Sequence, residues 1–326
     1  MRESVVHAPA VAGSRVTGRI VTGGAPFDLY FDLGDEAPSP SVEAFVVAAL
    51  LPAMIAGDPL VVEAPIDAQL LDALDEIQAI FWSWRPRCRR IKIRAEPTEE
   101  REPKASGKGV FFSLGVDSFF TLSKKRAELT HLVMIKGYDF RTLDESVWKT
   151  MFANGRRVAL ETGLALVEVE TNIRALQSAG WEWSHGPALV ATGYSAASLL
   201  GSVIISASTT YRKLGPWGTH PLLDPMWSSR ALVVDTFGAA PTRVEKMTEL
   251  QDDDLVLDTL RVCLWDSGSD YNCGRCTKCV CMMIVLEAAQ RLRRCKTLPD
   301  EIDPSALRKL DLTPGAVLFY FTQACA

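Results

Sequence analysis

Histidine is scarce in this chain, with four in 326 residues, and so is tyrosine, with six. No apolar run approaches the ~20 residues that a bilayer crossing needs. The greasiest stretch, residues 45–56, is too short and contains Pro52, so it reads as a buried helix. Residues 1–26 have no basic start followed by an apolar core, which predicts no signal peptide and a cytoplasmic location. Excess positive charge is also absent: 35 Lys and Arg face 40 Asp and Glu, for a formal net charge of −5. That balance gives no general attraction to nucleic acid or to an anionic membrane. Two nucleotide signatures are missing as well. Gly107-Lys108 is followed by Gly109 rather than Ser or Thr, and no G-x-G-x-x-G follows a strand pattern. Cysteine, in contrast, is plentiful, with eight residues, five of them between 263 and 281. A disulfide framework spreads its cysteines, whereas clustering in a chain of this kind points to metal or thiol chemistry in a reducing compartment.

Hydrophobic residues make up 48% and charged residues 23%, as in ordinary globular proteins. The length predicts two domains. Residues 1–26 show little periodicity. Strand patterns then occupy 28–33, 59–63 and 90–94, alternating with helix patterns at 41–55 and 68–84, where Leu70, Leu71, Leu74, Ile77 and Ile80 form one apolar face. Residues 95–108, charged and with two prolines, read as a linker. Beyond it, strands at 110–113, 132–135, 165–169, 203–206 and about 232–234 alternate with helices at 118–129, 146–162 and 187–200. Such alternation predicts an α/β fold: a doubly wound, mainly parallel sheet at 109–326, preceded by a small α/β domain at 1–94.

Two motifs carry chemistry. In Val110-Phe-Phe-Ser-Leu-Gly-Val-Asp-Ser118 an apolar strand turns into a helix. Ligands bind beyond the carboxyl ends of such strands, and the unpaired N–H groups at a helix start favour an anion. The candidate phosphate contacts are Ser113, Leu114, Gly115, Val116, Asp117 and Ser118. Gly115 admits a close approach, the two serines offer hydroxyls, and Asp117 suits the first helical turn and Mg²⁺. The second motif is Cys263 followed by Cys273-Gly-Arg-Cys276-Thr-Lys-Cys279. Its overlapping C-x-x-C units, with Cys263 closing the set, make a four-thiolate site suited to Zn²⁺, backed by a helix predicted over 279–294. An iron–sulfur cluster is the alternative, because C-x-x-C-x-x-C also occurs in ferredoxin-type sites. Cys281 lies nearby among apolar neighbours and reads as buried.

The first motif resembles the S-G-G-x-D-S pyrophosphate loop of the N-type ATP pyrophosphatases, with Leu114 in place of a glycine. The C-x9-C-x2-C-x2-C arrangement, downstream of the loop, is similar to that of the 7-cyano-7-deazaguanine synthases within that superfamily. The resemblance spans residues 109–295. It implies an adenine-nucleotide α-hydrolase-like (HUP-like) fold and an ATP-binding, AMP-forming ligase that adenylates a substrate carboxylate or amide oxygen, expels pyrophosphate and transfers nitrogen. It further implies Asp139, after the second strand, near the adenosine, and Lys246, with Arg243, near the leaving pyrophosphate. Sulfur insertion with an iron–sulfur cluster, and a nucleotide- or zinc-binding protein without turnover, are the competing readings.

Weaker signals lie elsewhere. The aromatic–polar stretch 211–224 offers His220 and Asp224 as acid–base or orienting groups. His185, flanked by Trp181 and Trp183, is of the same standing. The basic run Arg85–Arg94 beside Trp82 and Trp84 reads as a solvated face rather than a nucleic-acid patch. The expected partner is a small-molecule substrate, with no nucleic acid and no membrane. The first domain carries no motif and leaves a homo-oligomer open.

Overall fold

The structure, a computed structural model, describes residues 2–99, 104–138, 145–176, 179–263 and 271–309. Thirteen strands are described: β1 (Ser4–Val6), β2 (Ala10–Ala12), β3 (Arg15–Thr22), β4 (Ala25–Asp32), β5 (Leu60–Val62), β6 (Ile66–Asp67), β7 (Ile93–Arg94), β8 (Pro97–Thr98), β9 (Gly107–Phe111), β10 (His131–Lys136), β11 (Ala165–Thr171), β12 (Leu200–Ser206) and β13 (Val233–Phe237). Between and after them run α1 (Val42–Ala56), α2 (Ala68–Trp84), α3 (Val116–Lys125), α4 (Glu145–Thr162), α5 (Trp181–Ser195), α6 (Arg243–Leu250), α7 (Asp254–Thr259), α8 (Thr277–Ala288) and α9 (Pro304–Arg308).

The fold is α/β, built on one large mixed sheet in the order β13-β12-β9-β10-β11-β4-β3-β1-β5-β7, with β2 paired to β3. From β13 to β11 every pairing is parallel. The ladder then turns antiparallel at β11–β4, where Glu170 pairs with Asp32 and Thr171 with Phe31. The sheet therefore runs without a break across the boundary expected at 95–108. Asn172 fastens the junction, accepting from Tyr30 N–H and donating to Asp28 O.

Alternate strand residues feed two apolar layers, as the two-residue pleat requires. Phe111, Val133, Val167, Val203 and Ile205 pack with α1, α2 and α5. Val110, Phe112, Leu132, Met134 and Ile204 pack on the opposite face with α3, α4, α6 and α8. Helix α2 matches its expected span and buries Leu70, Leu74, Ile77 and Phe81; Asp67 caps it, accepting from Gln69 and Leu70 N–H. Helix α1 is buried along nearly its whole length and ends at Gly57, whose φ of 73° suits glycine.

Residues 1–26, of little periodicity in the sequence, hold β1–β3 and enter a hairpin with β4 through Gly23-Gly24, both at positive φ. Two expectations need correction. Helix α5 begins at Trp181, not 187, and holds Pro187 inside. The helix expected over 279–294 is shorter, running from Thr277 to Ala288, with a 3₁₀ turn at Leu292–Arg294.

Candidate functional site

Sequence order 1-2-3-4-5 of the parallel strands becomes spatial order 5-4-1-2-3, so the chain reverses direction between β9 and β12. A crevice opens beyond the strand ends at such a switch point. A cavity of about 200 Å³ lies there, lined by Phe111, Ser113, Ser118, Ile135, Ile205 and Ser206 among others. A second cavity, of about 540 Å³, adjoins it and runs from Gly115 and Val116 past Arg243 and Arg261 to Cys263 and Lys278. Ser113, Asp117, Met151, His185 and Ser208 line both. The segment 113–118 thus stands where the two cavities meet.

The backbone of this segment is unusual. Leu114 has φ 62°, in the left-handed region that costs an ordinary residue ~1–2 kcal/mol. Its side chain is fully buried in the α3-side core, and its carbonyl accepts from Arg261 N–H at 2.9 Å. Gly115, the N-cap of α3, lines the second cavity together with Val116 and Asp117 of the first helical turn. Ser118 Oγ donates to Gly115 O at 2.9 Å, which tightens the turn.

Asp117 gathers residues remote in sequence. Arg243 reaches its Oδ2 at 2.5 Å through Nη2, and Lys246 Nζ reaches its Oδ1 at 2.8 Å. Burial acts to raise the Asp117 pKa, but the Arg243 and Lys246 charges outweigh it and leave the carboxyl below its ordinary value. Burial lowers the Lys246 pKa, with Asp117 opposing and Arg243 adding to the fall. Both Asp117 oxygens are therefore engaged by cations, Oδ2 by Arg243 and Oδ1 by Lys246. Arg243 lines the second cavity. Lys246, 2% exposed, sits behind, also donating to Ala207 O at 2.7 Å. Both are set by α6, whose capping box joins Thr242 and Glu245.

The four expected cysteines converge. The Sγ atoms of Cys263, Cys273, Cys276 and Cys279 lie within 4.8 Å of one another. Cys276 N–H donates to Cys273 Sγ at 3.2 Å, the contact expected of a C-x-x-C knuckle. Asn272 Oδ1 accepts from both Val262 and Cys263 N–H, holding the first ligand against the knuckle. The thiol contacts of Cys263 and then Cys276, with burial, raise the Cys279 pKa. Such a set can bind a metal ion such as Zn²⁺, or an iron–sulfur cluster. Cys281 is buried as expected, at the wall of the second cavity.

The remaining candidates divide. Asp139 lies outside the described residues. His220 and Asp224 line neither cavity: Asp224 accepts from His220 N–H at 2.9 Å and from Thr236 Oγ1 at 2.6 Å, while the His220 ring packs 5.1 Å from Trp84. Together they close a turn. His185, of equal standing in the sequence, lines both cavities instead. Sequence reasoning missed Arg261, Ser208 and Thr219; Ser208 follows a parallel strand by two residues, the one pattern that pointed to it. Comparison with protein families, with curated proteins and with solved structures finds no match to this chain.

Proposed function

We propose that the chain is an ATP-dependent, AMP-forming ligase that activates a substrate carboxylate or amide oxygen and then transfers nitrogen to it. One observation carries this reading: a strand-to-helix loop at the sheet's switch point, with Arg243 and Lys246 converging on its Asp117. That arrangement fits the phosphate-handling end of an adenine-nucleotide α-hydrolase-like (HUP-like) sheet. The first cavity, mostly apolar, suits the nucleoside, and the second suits the acceptor substrate. The α3 N–H groups and Arg243 would gather the charge that develops on leaving pyrophosphate. Lys246 acts through Asp117, holding the carboxylate so that Arg243 is aimed.

A single metal ion fits the cysteines better than a cluster. A tetrahedron with Zn–S arms of about 2.3 Å has edges of about 3.8 Å. Cys263–Cys276 and Cys273–Cys279 stand at 3.8 and 3.9 Å. A cubane spreads its thiolates wider. This favours zinc, and with it nitrogen transfer over sulfur insertion. When bound, the ion supplies a cross-link that fixes Cys263, and with it the second cavity's wall.

Two measurements test the reading. Metal analysis of anaerobically purified protein should give about one colourless zinc per chain; iron with sulfide would restore the thiolation reading. ATP incubated with pools of small acids and ammonia should yield AMP and pyrophosphate. Release of ADP and phosphate, or ATP binding without cleavage in any pool, would overturn ligase activity.

A further inference from the structure

His185 stands in the first turns of α5, at the carboxyl edge of the sheet, and its ring is fixed from several sides. Nδ1 lies 3.0 Å from Trp181 O. A carbonyl only accepts, so Nδ1 carries the proton and Nε2 holds a lone pair. Trp217 packs edge-on at 5.4 Å between ring centroids. Tyr138 Oη donates to the His185 carbonyl at 2.6 Å, anchoring the backbone beneath the ring. The loop that carries Trp217 is pinned to the same turn, Gly218 N–H donating to Glu182 O at 2.8 Å.

Most other polar groups of the first cavity are turned to internal partners. Ser118 donates to Gly115 O, Ser206 Oγ to Thr121 Oγ1, Tyr138 to His185 O, and Asp117 is taken by its two cations. Nε2 accepts a long hydrogen bond from Thr219 Oγ1 at 3.3 Å, and Thr219 itself lines the first cavity. A ligand hydroxyl that takes the place of Thr219 Oγ1 would therefore meet the Nε2 lone pair where the two cavities join. Phosphates belong at Ser113–Ser118, and a base belongs among Phe111, Val133, Ile135, Leu189 and Ile205. The sugar of a nucleotide lies between its base and its phosphates, which brings it abreast of His185.

We propose that His185 Nε2 accepts a hydrogen bond from a ribose hydroxyl of the bound nucleotide, making it a specificity-determining residue that selects ribonucleotides. This rests on the ATP reading of the same site. Burial holds the ring neutral, with its pKa lowered to about 4, so the acceptor persists at every pH near neutrality.

The test is calorimetric titration of the full chain with ATP, 2′-deoxy-ATP, 3′-deoxy-ATP and purine riboside triphosphate. The wild type should bind one of the deoxy analogues about tenfold more weakly than ATP. His185→Leu should bind ATP about tenfold more weakly and lose that discrimination. His185→Gln, which keeps an acceptor, should retain part of it and covers the case in which the leucine variant does not fold. Equal wild-type affinity for ATP and both deoxy analogues would overturn the assignment without any variant. So would His185→Leu discriminating as before, or losing selectivity only against purine riboside triphosphate, which lacks the base amine. Failure of the wild type to bind ATP at all would instead overturn the ATP reading beneath it.

Discussion

Leu114 sets two residue-scale forces against each other. Its φ of 62° favours glycine, while its side chain is fully buried. Truncation to alanine keeps the strain and forfeits packing, at about 3 kcal/mol. Truncation to glycine forfeits the same packing but relieves ~1–2 kcal/mol of strain. Leu114→Gly should therefore be less destabilising than Leu114→Ala by about 1 kcal/mol, the reverse of the usual helix or strand order. Urea midpoints of the two variants check this; a glycine variant weaker than alanine would remove the strain argument. Asp224 poses a second residue-scale question. Burial raises its pKa to about 7, against the hydrogen bonds from Thr236 and His220 N–H. A raised carboxyl keeps its proton in the folded chain between pH ~3.9 and about 7, where the unfolded chain has lost it. Its stabilising contribution is thus full below that window and is lost as pH rises through it. An amide at this position does not ionise, so Asp224→Asn should gain stability relative to wild type as pH rises from 4 to 7, by at most about 4 kcal/mol, and stay level above. Denaturation curves at pH 4.5, 6 and 8 decide it. A difference independent of pH would show that the carboxyl is not held protonated.

The first turns of α5 bring these local effects to the scale of an element. Pro187 removes one helical donor there, and the 217–219 loop docks on the same turn. The contact is close enough that a Cβ on Gly186 would lie 1.8 Å from Gly218 O. Gly186→Ala should push the loop away, costing about 1–3 kcal/mol of stability. Because Trp217 and Thr219 travel with that loop, the ATP affinity that the proposed function requires should fall as well. Melting temperature and calorimetric affinity measured together test the coupling; lost stability with unchanged affinity would mean that the loop does not shape the proposed nucleotide site. Proline also misleads at this scale. Read from sequence, Pro187 begins the helix, because proline is favoured at a first turn. The added turn from Trp181 forms because tertiary contacts hold it.

For the whole molecule, the decisive feature is the sheet's continuity. Helix α1, from the first hundred residues, packs along α5, which carries His185. Removing residues 1–94 would bare the β11 edge and the apolar face of α5, both hazards for aggregation. The truncated chain should therefore be insoluble or molten, as near-ultraviolet circular dichroism and size-exclusion chromatography would show; a monomeric, cooperatively melting fragment would show that residues 95–326 fold as a domain of their own. Among the described residues no helix is long and apolar enough to cross a membrane.

The sequence alone determined the strand–helix alternation, because pleat and helix periods are local properties. It determined the span of α2 through the Asp67 cap and its apolar face, and it determined the cysteine set, because metal ligands in knuckles are close in sequence. It carried the Gly23-Gly24 hairpin signal too, between two eight-residue strands. Only the tertiary structure decided that the two halves share one sheet, since β4–β11 pairing joins residues about 140 apart. It alone placed His185 rather than His220 at the cavities and engaged Asp117 with Arg243 and Lys246, 126 and 129 residues away. Charge pairing and burial act through space, and neither leaves a period in the chain.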